Sequence, residues 1–264
     1  MATVFENIGF NIENEDGAYR LADFVLNSGS ILPVENGAYA VWSDKSGAEV
    51  WERVALDHEA KSVQLLNLDP HFNGSTVWSL ELSREFSAER DDMLDCKAFL
   101  KNPDNESGIC ARIMGKLAAE SLVVGNEYEF QVSMIPHSIA FFENEADMRN
   151  VLSDESTVIG ALTPVGVYMR MMQVEGEECT TDILMTRIAA EIKGGDVRFM
   201  IADKTPVGEF LHLALKTDMG ELDIAVSQNN YETKNLPKLC EGGMVAVVSG
   251  IISAKLIKRE KTND

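Results

Sequence analysis

The chain has 264 residues, 45% of them hydrophobic, and a formal net charge of −20. That apolar share excludes global disorder and the length predicts one large or two modest domains. The excess acid repels phosphate backbones and anionic lipid, and it attracts basic proteins. The charge is stepped: Met1 to Cys179 carries 31 Asp/Glu against 12 Lys/Arg, and Thr180 to Asp264 carries 12 against 11.

The N-terminus, Met1 to Asp16, contains acids and no Lys or Arg, so it lacks the basic opening of a signal peptide. Phe5 to Ile12 predicts a strand. A helix follows, capped by Asp16, with Ala18, Leu21, Ala22 and Val25 at helical spacing and Gly29 closing it. Ala38 to Trp42 and Ala48 to Val54 predict a hairpin around Ser43-Asp44-Lys45-Ser46-Gly47. Val77 to Leu82 reads as a further strand, and Ser87 as the cap of a helix from about Ala88 to Leu100. In Glu127 to Met134 the residues Tyr128, Phe130, Val132 and Met134 alternate with Glu127, Glu129, Gln131 and Ser133, which predicts a strand with one buried and one solvated face. Asn144 to Leu152 predicts a short capped helix.

The uncharged run from Ser156 to Met169 holds Gly160, Pro164 and Gly166 and falls short of the about 20 apolar residues a spanning helix needs. Beyond it the chain reads as strands: Ile183 to Ile192, Val197 to Ile201, and a hairpin of Phe210 to Lys216 with Glu221 to Ser227. Asn230 to Leu239 is a linking helix or turn, and Met244 to Val248 and Ile251 to Ile257 are separated by Gly250. No repeat of fixed period is visible. The expected fold class is therefore α+β and mostly antiparallel: a mixed acidic domain over 1–152, a boundary region over 153–181, and a small β-barrel over 182–264.

The stretch from Ile183 to Ile257 resembles an oligonucleotide/oligosaccharide-binding (OB) barrel. A long first strand and the hairpin F-L-H-L-A-L-K-T-D-M-G-E-L-D-I-A-V-S are followed by L-C-E-G-G-M-V-A-V-V-S-G-I-I-S, where a Gly-flanked hydrophobic tract brings in the fourth strand. The whole chain is similar to an uncharacterised bacterial family that combines an acidic, Trp-containing N-terminal region around a D-P-H-F-N-G-like tract, here Asp69 to Gly74, with such a barrel. That family carries no activity to transfer. The N-terminal order strand–helix–strand–strand–strand, with S-D-K-S-G-A-E-V-W as a hairpin, also resembles the βαβββ module of vicinal-oxygen-chelate enzymes, which place a carboxylate on the last strand, where Glu49 or Glu52 would fall. The first strand offers only Glu6, Asn7 and Asn11, so the metal site of that family is incomplete here.

No nucleophile elbow, phosphate loop or H-E-x-x-H pattern is present, and neither Asp57-His58-Glu59 nor Asp69-Pro70-His71 forms a chelate, because adjacent strand residues face opposite ways. Cys96, Cys110, Cys179 and Cys240 form no C-x-x-C pair and read as free thiols in a reducing cytoplasm. No catalytic residue, metal or cofactor is assigned. An OB-type ligand would use Phe210, His212 and Lys216 on one strand face, with Lys255, Lys258 and Arg259 at the basic end. Nucleic acid is disfavoured by the charge. A basic protein partner would meet Trp51, the acids Glu89, Asp91, Asp92 and Asp95, and Glu143, Glu145 and Asp147. The expected function is a non-enzymatic cytoplasmic interaction protein of inhibitor or immunity type. The alternatives are an OB module for single-stranded nucleic acid or oligosaccharide, and a small-molecule enzyme.

Overall fold

The computed structural model describes residues 4–34, 37–57, 62–86, 96–104, 107–114, 122–153, 157–174, 177–201 and 208–259. The molecule is dominated by strands in antiparallel and mixed sheets, with three α-helices among the described residues. No helix among these residues is long and apolar enough to cross a membrane.

The N-terminus departs from the expected strand. Glu6–Ile8 forms a 3-10 turn closed by Gly9 at φ +86°. Asn7 dictates this: its amide donates to the Pro136 carbonyl at 2.8 Å, and its oxygen accepts from the Ser227 amide at 2.8 Å. A buried polar side chain tied into two distant strands replaces the ladder bonds a strand would need. Helix α1, Glu15–Ser28, begins two residues earlier than Asp16 would allow, because Asn14 accepts from the Gly17 amide at 2.9 Å. Leu21, Ala22 and Val25 are its buried face and Gly29 its C-cap, as the spacing implied.

Strands β1 (Ser30–Val34), β2 (Gly37–Ser43), β3 (Ala48–Asp57) and β4 (Ser62–Phe72) form a four-stranded antiparallel sheet in that order. The hairpin around Ser43 to Gly47 joins β2 and β3 as predicted. Strands β1 and β4 carry no alternation that announces them.

The second sheet contains β5 (Val77–Phe86), β6 (Cys96–Lys101), β7 (Gly108–Ile113), β8 (Glu127–Phe142), β9 (Thr163–Val174), β10 (Glu177–Phe199), β11 (Glu209–Thr217), β12 (Gly220–Ser227) and β13 (Val245–Arg259). Cys96 to Leu100 is thus strand where helix was expected: Ala98 and Leu100 alternate into the core between β5 and β7. Residues 87–95, which include the expected cap, lie outside the described residues. Helix α2 (Glu145–Leu152) is capped by Asn144 as predicted, and α3 (Leu236–Glu241) precedes β13. The segments around Gly194 and Gly250 do not separate strands. Each is a register slip inside one long strand, between Ile192 and Gly194 and between Ser249 and Gly250.

The pairings close on themselves twice. One circuit runs β10–β11–β12–β8–β13 and back to β10; the other runs β5–β6–β7–β13–β8 and back to β5. In each, a three-strand meander ends in the single parallel pairing of its circuit, β12 with β8 or β7 with β13. Strands β8 and β13 belong to both and exchange places between them. One core, including Leu80, Ile113, Phe130, Met134, Ile188, Leu213, Ile224 and Ile252, fills the interior. Pairing and core therefore run across the boundary expected at 153–181. A second cluster, including Ile8, Leu21, Val25, Trp42, Val50, Phe72, Ile135 and Phe210, joins α1, the four-stranded sheet and the outer face of the larger one.

Candidate functional site

A row of four residues crosses the shared strands. Asp223 on β12 is registered with Ser133 on β8, Ser133 with Ser253 on β13, and Ser253 with Arg112 on β7. Their neighbours Ile224, Met134, Ile252 and Ile113 point into the core, so alternation turns the row outward. Strand β4 and the loop after it cover this row, and the residues involved are the tract Asp69 to Gly74.

Asp69 accepts from Arg112 at 2.6 Å and from the Asn67 amide at 2.6 Å. His71, fully buried, has Nδ1 2.7 Å from Ser253 Oγ and Nε2 2.7 Å from Gln131 Oε1. The amide nitrogen of Gln131 donates to the Phe72 carbonyl at 3.2 Å, which fixes Oε1 as the atom facing His71. His71 therefore carries its proton on Nε2, and Nδ1 accepts from Ser253. Ser133 Oγ lies 3.4 Å from Ser253 Oγ and supplies the next donor. The result is a chain of donors running Ser133, Ser253, His71, Gln131, Phe72 carbonyl, with each member polarising the next.

Burial pushes the His71 ring down to about 4, against the opposing pull of Glu49 and of the Gln131 hydrogen bond. The ring is neutral at pH 7. Ser253 and His71 are paired like a nucleophile and its base, yet they are 3% and 0% exposed. No substrate atom reaches them, and the pair is a structural clasp.

Glu49 is the registered partner of His71 on β3 and is 1% exposed. Its oxygens accept from Lys255 Nζ at 3.0 and 2.8 Å, Trp51 Nε1 at 2.6 Å and Ser43 Oγ at 2.8 Å. Burial alone would raise this carboxyl. The His71 ring and the Lys255 ammonium, with the Lys255 and Trp51 hydrogen bonds, outweigh burial and hold it below the usual range. With His71 neutral at pH 7, Lys255 supplies the counter-charge.

At the other end of the row His212 Nε2 lies 2.7 Å from Asp223 and Nδ1 2.8 Å from Asp196. Two carboxylates demand two N–H donors, so the ring is an imidazolium. The 3.3 Å approach of Arg198 to the same Nδ1 is then no hydrogen bond, and Arg198 is held instead by Asp196 at 2.6 Å. Burial pulls His212 down, but the hydrogen bonds to Asp223 and Asp196 more than reverse this and raise it. Asp223, which burial would raise, is lowered by the His212 hydrogen bond and by the Thr76 amide at 2.7 Å. Phe72 links the two ends: its ring stands 4.9 Å from His212 and 5.8 Å from Phe210.

The expected ligand residues part company here. Phe210 is fully buried beneath Phe72, His212 is bracketed by acids, and Lys255 is engaged by Glu49. Lys216 is exposed at the far end of β11. Lys258 and Arg259 lie on β13, and their side chains lie outside the described residues. Of the interaction residues, Trp51 is half-buried, edge-on to Tyr39 at 5.9 Å. Glu143, Glu145 and Asp147 are exposed around the start of α2, where Glu143 pairs with Lys238 and Glu145 with Arg149. Glu89, Asp91, Asp92 and Asp95 lie outside the described residues, as does His58. Glu52, the other expected carboxylate of the chelate-like module, is buried with Oε2 bare. Among the described residues no group of three or more metal-ligating side chains could hold an ion. Cys110 and Cys240 are free thiols.

Sequence reasoning missed Gln131, Ser133, Ser253, Arg112 and Asp223. Gln131 and Ser133 were assigned to a solvated face, but they are 4% and 0% exposed because β4 covers that face. Their signal was present in the tract singled out at Asp69 to Gly74, which needs something polar to meet.

No family model, curated protein or solved structure matches this chain.

Proposed function

We propose that this protein is a non-enzymatic, cytoplasmic binding protein whose acidic surface engages a basic protein partner, in the manner of an inhibitor or immunity protein. The observation that carries the reading is where its cations go. Arg112, Arg149, Arg198, Lys234, Lys238 and Lys255 each lie 2.5–2.8 Å from a carboxylate of the same chain. These six cations are neutralised within the chain, and the excess of 43 acids over 23 bases sets the sign of the outer field. Glu13, Glu15, Asp16 and Asp23 on and before α1 are exposed contributors to it. Ser253 with His71 of β4, and His212 with its two aspartates, satisfy one another.

The alternative reading, an OB-type module, draws support from strand order. The circuit β10, β11, β12, β8, β13 has the long first strand, the hairpin and the Gly-flanked strand of that pattern, with β8 in the fifth place. Against it as a single-strand binder, the expected stacking residue Phe210 lies under Phe72 and the expected cation Lys255 is held by Glu49. We therefore rank it second.

The test is capture of partners from the native host at low and high salt, followed by association kinetics with what is recovered. A basic protein should be held at low salt, with an on-rate that falls on the order of tenfold or more as salt rises and an off-rate that barely changes. Recovery of no basic protein at low salt would sink the reading, and tight binding of mixed-sequence single strands near physiological salt would promote the alternative.

A further inference from the structure

We infer that Asn73–Gly74, in the loop between β4 and β5, is a self-modification site, where the chain closes a succinimide and opens it to isoaspartate. The inference goes beyond the reading above and does not depend on it.

Packing requires the glycine. A Cβ at position 74 would stand 2.2 Å from Oδ2 of Asp223, the carboxylate that holds His212, so no side chain fits there. The preceding Asn73 is exposed, and among the described residues nothing bonds its carboxamide. Every other side chain of the tract is in use. Asp69 pairs with Arg112, Pro70 is buried, His71 joins Ser253 to Gln131, and Phe72 packs on Phe210 and His212. The sequence has one other Asn-Gly pair, Asn36–Gly37, and Asn36 lies outside the described residues.

Glycine also leaves the main-chain nitrogen open, because no Cβ shields it from the carboxamide before it. The Gly74 N–H donates to the Phe72 carbonyl at 3.1 Å, a contact within a three-residue turn rather than a ladder bond. Once that proton is lost, the Gly74 nitrogen attacks Cγ of Asn73. The new Cγ–N bond closes an imide ring, the bond from Cγ to the amide nitrogen breaks, and ammonia leaves carrying the proton from Gly74. Water then opens the ring at either carbonyl. One product is an aspartate in the place of Asn73. The other is an isoaspartate, whose main chain runs through the former side chain and is longer by one carbon. Both carry a new negative charge.

The loop has no slack for the longer path. On one side the Asn73 amide donates to the Gly47 carbonyl at 2.7 Å, and on the other the Thr76 amide donates to Asp223 at 2.7 Å. Gly74, between them, already stands against that carboxylate. Isoaspartate therefore pulls the Thr76 amide off Asp223 and removes one support of the His212 cluster.

The test ages the full chain at pH 7 and pH 9 and follows it by intact mass, peptide mapping and enzymatic carboxyl methylation of isoaspartate. Asn73 should lose ammonia, faster at pH 9, and its peptide should become a methylation substrate. Asn73→Ser should abolish both at that peptide. In the isoaspartyl protein the Thr76 amide should exchange with solvent about tenfold faster or more. Freshly prepared Asn73→Asp, which adds the charge and keeps the main-chain length, should leave that exchange unchanged. Ammonia loss confined to other asparagines, or none at all, overturns the site. Isoaspartate at position 73 with unaltered Thr76 exchange overturns its coupling to Asp223.

Discussion

His71 on β4 and His212, which stands against the next residue Phe72, each have both ring nitrogens bonded at 2.7–2.8 Å, and they end in opposite protonation states. His71 has a serine and an amide for hydrogen-bond partners; the pull of Glu49 and of the Gln131 bond falls short of the cost of burial, and the ring stays neutral. His212 has two aspartates, which offset that loss and hold the proton on. Burial alone therefore fixes neither the sign nor the size of a histidine shift. The charge of the partner decides it.

Removing the neutral member should have the largest effect. His71→Ala leaves a cavity, an orphaned Gln131 oxygen and a Ser253 hydroxyl without its acceptor. It should cost about 4 kcal/mol in denaturant unfolding, and a cost below about 1 kcal/mol would show the clasp to be dispensable.

The pH dependence separates the two rings. With a folded value of about 4 against 6.5 unfolded, His71 resists protonation only in the folded state. Stability should fall by about 3 kcal/mol as pH drops from 6.5 towards 4. His212 is raised, so its stabilisation is complete below 6.5 and is lost as pH rises through its folded value. Glu52, raised to about 7 from 4.5, loses stabilisation as pH rises across that interval and offsets much of the His71 limb, so the acid limb is read in a Glu52→Gln background. Urea midpoints there should peak between the two limbs, and His212→Gln should flatten only the alkaline one. A profile that His212→Gln leaves unchanged would mean the ring is not cationic.

Asp223→Asn should act less, by about 2 kcal/mol, because Asp196 still holds the imidazolium. It should also lower the His212 titration midpoint, followed by NMR of the ring protons. A midpoint that does not move would assign the upward shift to Asp196 alone.

Much of the architecture was legible locally. The alternation of Tyr128, Phe130, Val132 and Met134, the Asn144 cap and the Phe210–Ser227 hairpin all follow from residue spacing. What spacing does not encode is whether a strand's second face is covered. Gln131 and Ser133 look solvated in a sequence window and are buried by a strand some 60 residues earlier in the chain. The same blindness made Phe210 and His212 look like an open face. At the N-terminus Asn7 reads as a neutral strand residue, and only its bonds to Pro136 and Ser227 turn the chain aside.

The shared pair β8–β13 has a consequence for how the protein is put together. Each circuit lists a meander and one long strand of its own, and borrows its fifth strand from the other half. Exchange of the halves maps Ser133 onto Ser253 and Asp223 onto Arg112, so the registered serines mark an internal pseudo-twofold axis. This is the arrangement that fusing a strand-exchanged homodimer end to end would leave behind. Neither half owns a complete ring, and the two topologically equivalent ends of the row carry opposite charges, Asp223 and Arg112.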